Sequence, residues 1–200
     1  MKFTQVAADA FQKLQLNAGV MLTDFTPGST LDKSKIIGAT GGGVAFATNP
    51  EYVDFGEDID NVPPNTKQLK RLQSVSPTMS GTFKTADTAL AKILMGAADI
   101  DSSTGKVTPR GVLVDDDFLD DVWWVGDYSD INVDTTGTGA KTAGYLAIHM
   151  MNVLSTGGFQ LQSNDDGKGD FEFELTAHYD LTDMDTLPYE VYVKQGTAAS

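Results

Sequence analysis

The sequence predicts a mainly β fold: an antiparallel β-sandwich or barrel with one flanking α-helix, a long loop and an N-terminal arm. Two observations predict it. Segments of alternating apolar and polar residues recur along the chain and are separated by turn residues, as is typical of half-buried antiparallel strands. Residues 85–98 instead carry an apolar stripe at helical spacing. A sheet structure with a single helix packed on it accounts for both patterns.

The predicted elements follow in chain order. Residues 1–18 are expected to form an arm or a short helix, because their apolar residues have helical spacing. Eight to eleven strands are expected, in residues 20–22, 36–48, 68–76, 78–84, 112–114, 122–128, 144–155, 159–163, 171–181 and 189–194. Thr85 or Asp87 can cap the helix, and residues 99–110 form a turn region. Residues 195–200 are expected to be a flexible tail, and residues 1–200 a single domain.

Local sequence features add detail to these strands. The glycines at positions 41–43 predict a bulge, and Asp166-Gly167 predicts a hairpin turn. Trp123 and Trp124 point to opposite faces of one strand, so one is expected in the core and the other at a surface or interface. The residues expected on one face of the strand at 144–155 are Leu146, Ile148, Met150 and Leu154.

Composition limits the possible classes of protein. The 200 residues, 40% of them apolar, suffice for one buried core. The absence of cysteine excludes disulfides, thiolate metal sites and a cysteine nucleophile. Asp9 and Lys13 interrupt any signal-peptide core, and no apolar run could span a membrane. The chain is therefore expected to be cytosolic, or released by a route other than secretion.

The net charge is strongly negative, at −14 from 28 acidic and 14 basic residues. Phosphate backbones and anionic lipids repel such a chain. A protein that holds nucleic acid or a membrane surface is therefore not expected.

No motif for nucleotide chemistry is complete. Residues 137–142, GTGAKT, resemble the end of a phosphate-binding loop, but Ala140 separates the glycine from the lysine and a strand follows. Residues 38–43, GATGGG, lack the spacing of a dinucleotide-binding turn. No cofactor and no enzymatic activity are expected.

Two aspartate clusters leave a weak cation site open as an alternative. A calcium loop that starts at Asp99 would need glycine and glutamate where the sequence has Thr104 and Arg110. The cluster at residues 115–117 has carboxylates but no further ligand pattern, and a solvated acidic turn is the favoured interpretation. Nothing places His149 near His178, so a shared metal site is not expected.

The strand at residues 171–181 separates apolar and polar side chains most clearly. Phe171 and every second residue after it are apolar and are expected to face the core. The other face carries Glu172, Glu174 and Asp180. These carboxylates either line a functional surface, face bulk solvent, or pair across the sheet with Lys70 or Arg71.

Residues 51–66, EYVDFGEDIDNVPPNT, are predicted to form a long acidic loop, because five acids and two consecutive prolines disfavour a helix or a buried strand. Loops longer than about 12 residues in compact domains usually have a function. This one has no plausible nucleophile or base, so contact with another protein is expected. The residues expected to make this contact are Tyr52, Val53, Phe55, Glu57, Asp58, Ile59, Asp60 and Val62.

Four stretches together resemble the major tail tube proteins of tailed bacteriophages. They are residues 17–22 (NAGVML), residues 42–66 with the acidic loop, residues 80–83 (SGTF) before the helix, and residues 157–193 with FEFELTAHYDL and PYEVYV. They span nearly the whole chain in the order found in that family. None is a catalytic signature, so the resemblance is one of pattern.

The resemblance implies a structural protein of the virion tail, made and assembled in the cytoplasm of a bacterial host. In that family, subunits form hexameric rings, strands from each subunit line a continuous lumen, and stacked rings make a tube. The lumen is typically acidic and conducts viral double-stranded DNA without specific binding. The implied partners are further copies of the chain and the tape measure, tail tip and tail terminator proteins. Glu172, Glu174 and Asp180 are then candidates for the lumen.

Two other classes remain open. An acidic β-sandwich binding module, of the adhesin or capsid-decoration type, would explain the strands and the charge equally well. It explains the long acidic segment and the N-terminal arm less well. A hydrolase on a jelly-roll scaffold would need a cluster of histidine and carboxylate side chains that the sequence does not suggest.

Overall fold

The computed structural model describes residues 10–129, 144–163, 165 and 167–195. Within them the chain forms thirteen strands and the α-helix α1 (Thr88–Met95), with short 3₁₀ segments at Ala10–Lys13, Lys33–Lys35, Lys67–Leu69 and Asp115–Asp117. The strands are β1 (Val20–Leu22), β2 (Ile36–Gly38), β3 (Thr40–Ala47), β4 (Pro50–Asp54), β5 (Lys70–Val75), β6 (Thr78–Phe83), β7 (Ala98–Asp101), β8 (Lys106–Pro109), β9 (Leu119–Ser129), β10 (Gly144–Ser155), β11 (Gln160–Gln162), β12 (Asp170–Ala177) and β13 (Tyr189–Lys194). The predicted fold class, mainly antiparallel β with one α-helix, is confirmed.

Nine strands form one antiparallel sheet. Its main path runs β2-β1-β9-β10-β12-β6-β3, with β11 paired to β12 and β13 paired to β10. The long strand β10 changes partner along its length, because residues 145–150 pair with β13 and residues 153–155 pair with β12. This change lets the sheet fold over on itself and enclose a core. The pairs β4-β5 and β7-β8 form two separate two-stranded ladders.

The main core lies between the two halves of the sheet and α1. It is built from inward-facing residues of five strands and the helix: Met21, Met79, Phe83, Leu90, Leu94, Val122, Trp124, Met150, Val153, Phe173, Leu175 and Ala177. Along β10 the predicted alternation holds as far as Met150. Asn152 then has a φ of 50°. This changes the phase of the strand, so Val153 is fully buried and the prediction for Leu154 is wrong.

A second apolar cluster covers the opposite face of β1, β9 and β10. It contains Leu22, Phe25, Trp123, Val125 and Ala147. Trp123 is only 6% exposed and Trp124 only 7%, so the prediction of one surface tryptophan is wrong. The two rings do point to opposite faces, as predicted, but Phe25 and Tyr192 pack against Trp123 and cover it.

Two predicted elements differ between residues 98 and 114. The turn region predicted at 99–110 contains the hairpin β7-β8, whose turn is held by Asp101 accepting hydrogen bonds from Ser103 and Thr104. The strand predicted at 112–114 does not form. Polar contacts fix that segment instead, since Val112 O accepts from Arg110 and Val114 N donates to Asp117.

The predicted bulge is present and the strands of the predicted hairpin pair, while Asp166 of its predicted turn lies outside the described residues. The register of β3 against β6 shifts between Gly41 and Val44, where Gly42 and Gly43 have positive φ angles of 79° and 89°. Strands β11 and β12 pair in antiparallel fashion, as the hairpin prediction requires. Of the predicted N-terminal arm and C-terminal tail, residues 1–9 and 196–200 lie outside the described residues.

Helix α1 is shorter than predicted, and its ends have clear causes. Asp87 is the N-cap, and its side chain accepts a hydrogen bond of 2.7 Å from Leu90 N. Gly96, with a φ of 72°, ends the helix. Leu90 and Leu94 face the main core as the apolar stripe predicts, and Ile93 is partly buried beside them.

We expect Leu94→Ala to lower the free energy of unfolding by about 2–5 kcal/mol, because it leaves a cavity in the main core. Thermal or denaturant unfolding followed by circular dichroism measures the change. Val112→Ala is the control, because Val112 is 71% exposed and its truncation should change the stability by less than about 0.5 kcal/mol. Equal stabilities of the two variants would contradict the packing described for α1.

Candidate assembly surfaces

Strands β3 to β6 form one long kinked ribbon. β3 continues into β4 and β5 continues into β6, while β3 pairs with β6 and β4 pairs with β5. The kink lies at Asn49, which has a φ of 45° and donates a 3.1 Å hydrogen bond from Nδ2 to Ser76 O. The inner half of the ribbon belongs to the large sheet. The outer half, the β4-β5 hairpin, pairs with no other described strand.

The predicted acidic loop is therefore partly strand. Residues up to Asp54 belong to β4, and residues 55–66 form the turns that join β4 to Lys67–Leu69. Asp54 organises these turns, because its carboxylate accepts hydrogen bonds from Gly56 N at 2.9 Å and Asn65 N at 2.6 Å. These N–H groups lower the pKa of Asp54 below its ordinary value. Gly56 is buried, and a Cβ there would lie 2.8 Å from Leu69 Cδ1.

The end of the hairpin presents apolar and acidic side chains to solvent. Tyr52, Phe55 and Ile59 are 57%, 62% and 49% exposed. Glu57, Asp58 and Asp60 are also exposed, whereas Val53 and Val62 are half-buried within the hairpin. Six of the eight predicted contact residues are thus available to a partner, and their contact with another subunit stays a prediction.

A second surface is the outward face of the four-stranded layer β11-β12-β6-β3. Its register places Glu172 between Gln160 and Thr82, and Glu174 beside Ser80. On β3, Ala45 lies opposite Ser80 and Ala47 opposite Thr78. The four strands contain no lysine or arginine. Lys84, directly after β6, forms an ion pair with Asp170 at the end of the face.

The structure changes two predictions about the acidic strand. Lys70 and Arg71 lie in β5, which among the described strands pairs only with β4, so the predicted pairing of Glu172 and Glu174 with them across the sheet is wrong. Asp180 does not share the strand face either, because β12 ends at Ala177. Its carboxylate accepts hydrogen bonds from the hydroxyl and the backbone N–H of Thr182, and these bonds lower the pKa of Asp180.

A histidine cluster, centred on the half-buried His149, lies on the other side of the molecule. The ring of His149 stacks on Trp123 at a centroid distance of 3.9 Å, and its two nitrogens face Asp121 and Glu190. A hydrogen bond from Tyr192 is the main cause of a lowered pKa at Glu190. The sequence does not reveal this cluster, since it depends on the register of β9, β10 and β13.

The two aspartate clusters considered for a cation are engaged in local structure. The buried Asp117 binds Arg110 and Val114 N, and Arg110 Nε lies 2.9 Å from Asp99. In the described ranges no three histidine, aspartate or glutamate side chains are grouped in a way that could hold a metal ion. The same residues include no helix that is long and apolar enough to cross a membrane.

We expect Asp54→Ala to open the turns at residues 55–66 and to increase limited proteolysis there several-fold, because it removes the acceptor for Gly56 N and Asn65 N. Glu57→Ala is the matched control, an exposed carboxylate in the same segment.

Lowering the pH should also increase proteolysis of residues 55–66 in the wild type. Because the folded-state pKa of Asp54 is lowered, its contribution is present above the unfolded value of about 3.9 and is lost as the pH falls through the lower folded value. Unchanged cleavage in Asp54→Ala would contradict this role.

Comparison with solved structures gives a loose structural similarity. The chain matches no protein-family model and no curated protein. Among solved structures it is similar to a chain from the tail of an empty gene transfer agent particle, computed with helical refinement and C6 symmetry. The sequence identity is 11% and the TM-score 0.39, over 82% of this chain and 92% of that chain.

Proposed function

We propose that the protein is the structural subunit of a phage-like tail tube, in which copies join into rings, the rings stack, and the lumen conducts DNA. The observation that carries the proposal is the outward face of β11-β12-β6-β3. This face combines two glutamates with small or uncharged side chains and has no basic residue within its strands. Outer surfaces of soluble proteins usually mix both signs of charge.

Such a face suits the passage of DNA. B-DNA carries one phosphate charge per about 1.7 Å of its axis, so even weak basic sites along a tube would add up to a strong hold. Carboxylates at Glu172 and Glu174, repeated in every copy, would repel the phosphates and keep the DNA mobile. The short side chains of Ser80 and Thr82 beside them on β6 leave the surface smooth.

The edges of the same layer support assembly into a ring. β3 pairs only with β6, and β11 pairs only with β12, so the outer edges of both strands are open within the described residues. Open edges expose unpaired backbone N–H and C=O groups and are prone to uncontrolled association. In the proposed ring, the β3 edge of one copy meets the β11 edge of the next, and the closed barrel leaves no open edge.

Self-association tests the proposal directly. We expect light scattering over a concentration series, together with negative-stain electron microscopy, to detect rings and tubes. A protein that stays monomeric at high concentration, with and without added salt or a tail-initiating complex, would contradict it. That outcome would favour the acidic binding module instead.

The role of the lumen face is tested by Glu172→Lys combined with Glu174→Lys. Both residues are exposed, so the stability of the monomer should change by less than about 1 kcal/mol. Particles assembled from this variant should eject DNA slowly or incompletely, because a basic lumen holds phosphates. Ejection is followed by the release of dye-accessible DNA.

The control has the same change in charge on other exposed residues, Asp120→Lys combined with Asp185→Lys. These particles should eject DNA at the wild-type rate. If the Glu172 and Glu174 variant forms normal tubes and also ejects normally, the face does not line the lumen.

A further inference from the structure

The end of the β4-β5 hairpin is a surface without a partner in the monomer. We define the tip patch as Phe55, Glu57, Asp58, Ile59 and Asp60. Its two apolar side chains are 62% and 49% exposed, and no cation of the described residues forms an ion pair with its three carboxylates. A surface of this kind fits a partner that offers basic and apolar groups together.

One surface of this chain has those properties. We define the base patch as Leu31, Lys33, Lys35 and Ile36, just before and at the start of β2. Leu31 and Ile36 are 44% and 41% exposed, and both lysines are exposed. Neither amine lies within ion-pair distance of a described carboxylate. Asp32 accepts hydrogen bonds from Ser34 N and Oγ, which fixes the turn that carries the two lysines.

Several other basic side chains in the described ranges are engaged elsewhere. Lys84 and Arg110 are bound to aspartates. Lys194 lies over the ring of Tyr145, and Lys70 donates a hydrogen bond to Asn65 within the hairpin itself. The base patch therefore combines two unpaired amines with exposed apolar neighbours outside the hairpin.

The two patches lie toward opposite ends of the ribbon. Gly38, two residues after the base patch, packs where β6 ends, and a Cβ there would lie 3.0 Å from Phe83 Cδ1. From Thr40 to Asp54 the chain then runs along β3 and β4 to the tip. At about 3.3 Å per residue this path is roughly 45 Å if straight. Along the chain, the tip patch and the base patch are therefore separated by the length of the ribbon, which bends at Asn49.

We infer that the tip patch of one copy docks on the base patch of another copy, in the next ring of the stack. This inference rests on the proposed function and names the residues of the contact between rings. Because the two surfaces differ and lie at opposite ends, the contact is head-to-tail and repeats without closing on a pair of copies. Copies that each carry a charge of −14 repel one another in most orientations, so a local pairing of opposite charges selects this one.

Charge reversal on either side tests the contact. Lys33→Glu with Lys35→Glu, or Glu57→Lys with Asp58→Lys and Asp60→Lys, should raise the protein concentration needed for tubes by about tenfold or more. Lys92→Glu with Lys106→Glu is the control, two exposed or half-exposed lysines elsewhere, and should assemble like the wild type. Sedimentation and electron microscopy measure the assembly.

The decisive variant carries all five reversals in one chain. Its tip patch is basic and its base patch acidic, so tubes should form again near the wild-type concentration, which also shows that the chain is folded. If the wild type forms tubes and either reversed patch leaves them intact, or if the five-fold variant does not restore them, the inference is wrong while the proposed function stands. If the wild type forms no tubes under any condition, the proposed function fails and the inference fails with it.

Discussion

The contact between Phe83 and Phe173 in the main core is the interaction on which the outward face of β11-β12-β6-β3 depends. The two rings meet at a centroid distance of 4.5 Å between β6 and β12. Gly81 permits this, because a Cβ there would lie 3.0 Å from Phe173 Cζ and 3.1 Å from Gly43 O. Side chains of a strand alternate between its two faces. Because Gly81, Phe83 and Phe173 face inward, Ser80, Thr82, Glu172 and Glu174 face outward. A shift of the strand register by one residue would bury the carboxylates of Glu172 and Glu174. The packing of the core therefore also determines that these carboxylates face outward.

The sequence predicts the elements that depend on the local spacing of apolar residues and on the backbone preferences of single residues. Helix α1, the bulge at residues 41–43 and strand β10 with its bounds all follow from short-range patterns. It was not sufficient where distant segments decide the outcome. Trp123 is buried because Phe25 and Tyr192 pack on it, and neither contact is visible from a strand that alternates in isolation. Strand β4 was also missed, because five acids in residues 51–66 suggested a loop throughout, whereas its partner β5 lies within the strand predicted at 68–76.

The candidate surfaces were also predicted only in part, because local alternation places some of their residues and distant contacts place the others. The alternation in β12 placed Glu172 and Glu174 on the polar face, which the register confirms. Asp180 was misplaced, although the sequence contains a signal for its role. Asp32, Asp101 and Asp180 each stand two residues before a serine or threonine and accept hydrogen bonds from it. This pattern is typical of side chains that close a turn on their own backbone. Acids outside the pattern, such as Glu57 and Asp60, remain free to contact a partner.

The hairpin makes the strongest physical argument that the monomer is incomplete. A two-stranded ladder is at best marginally stable in water, and β4-β5 has no third strand and no helix packed against it in the described residues. Its turns are nevertheless ordered by Asp54, and its outer side chains are aromatic and aliphatic rather than uniformly polar. Apart from Gly56, Val53, Val62 and Val75, the hairpin buries little, so its order costs conformational entropy that the monomer recovers only in part. In the proposed assembly this burial comes from a second copy, which offers lysines beside exposed leucine and isoleucine.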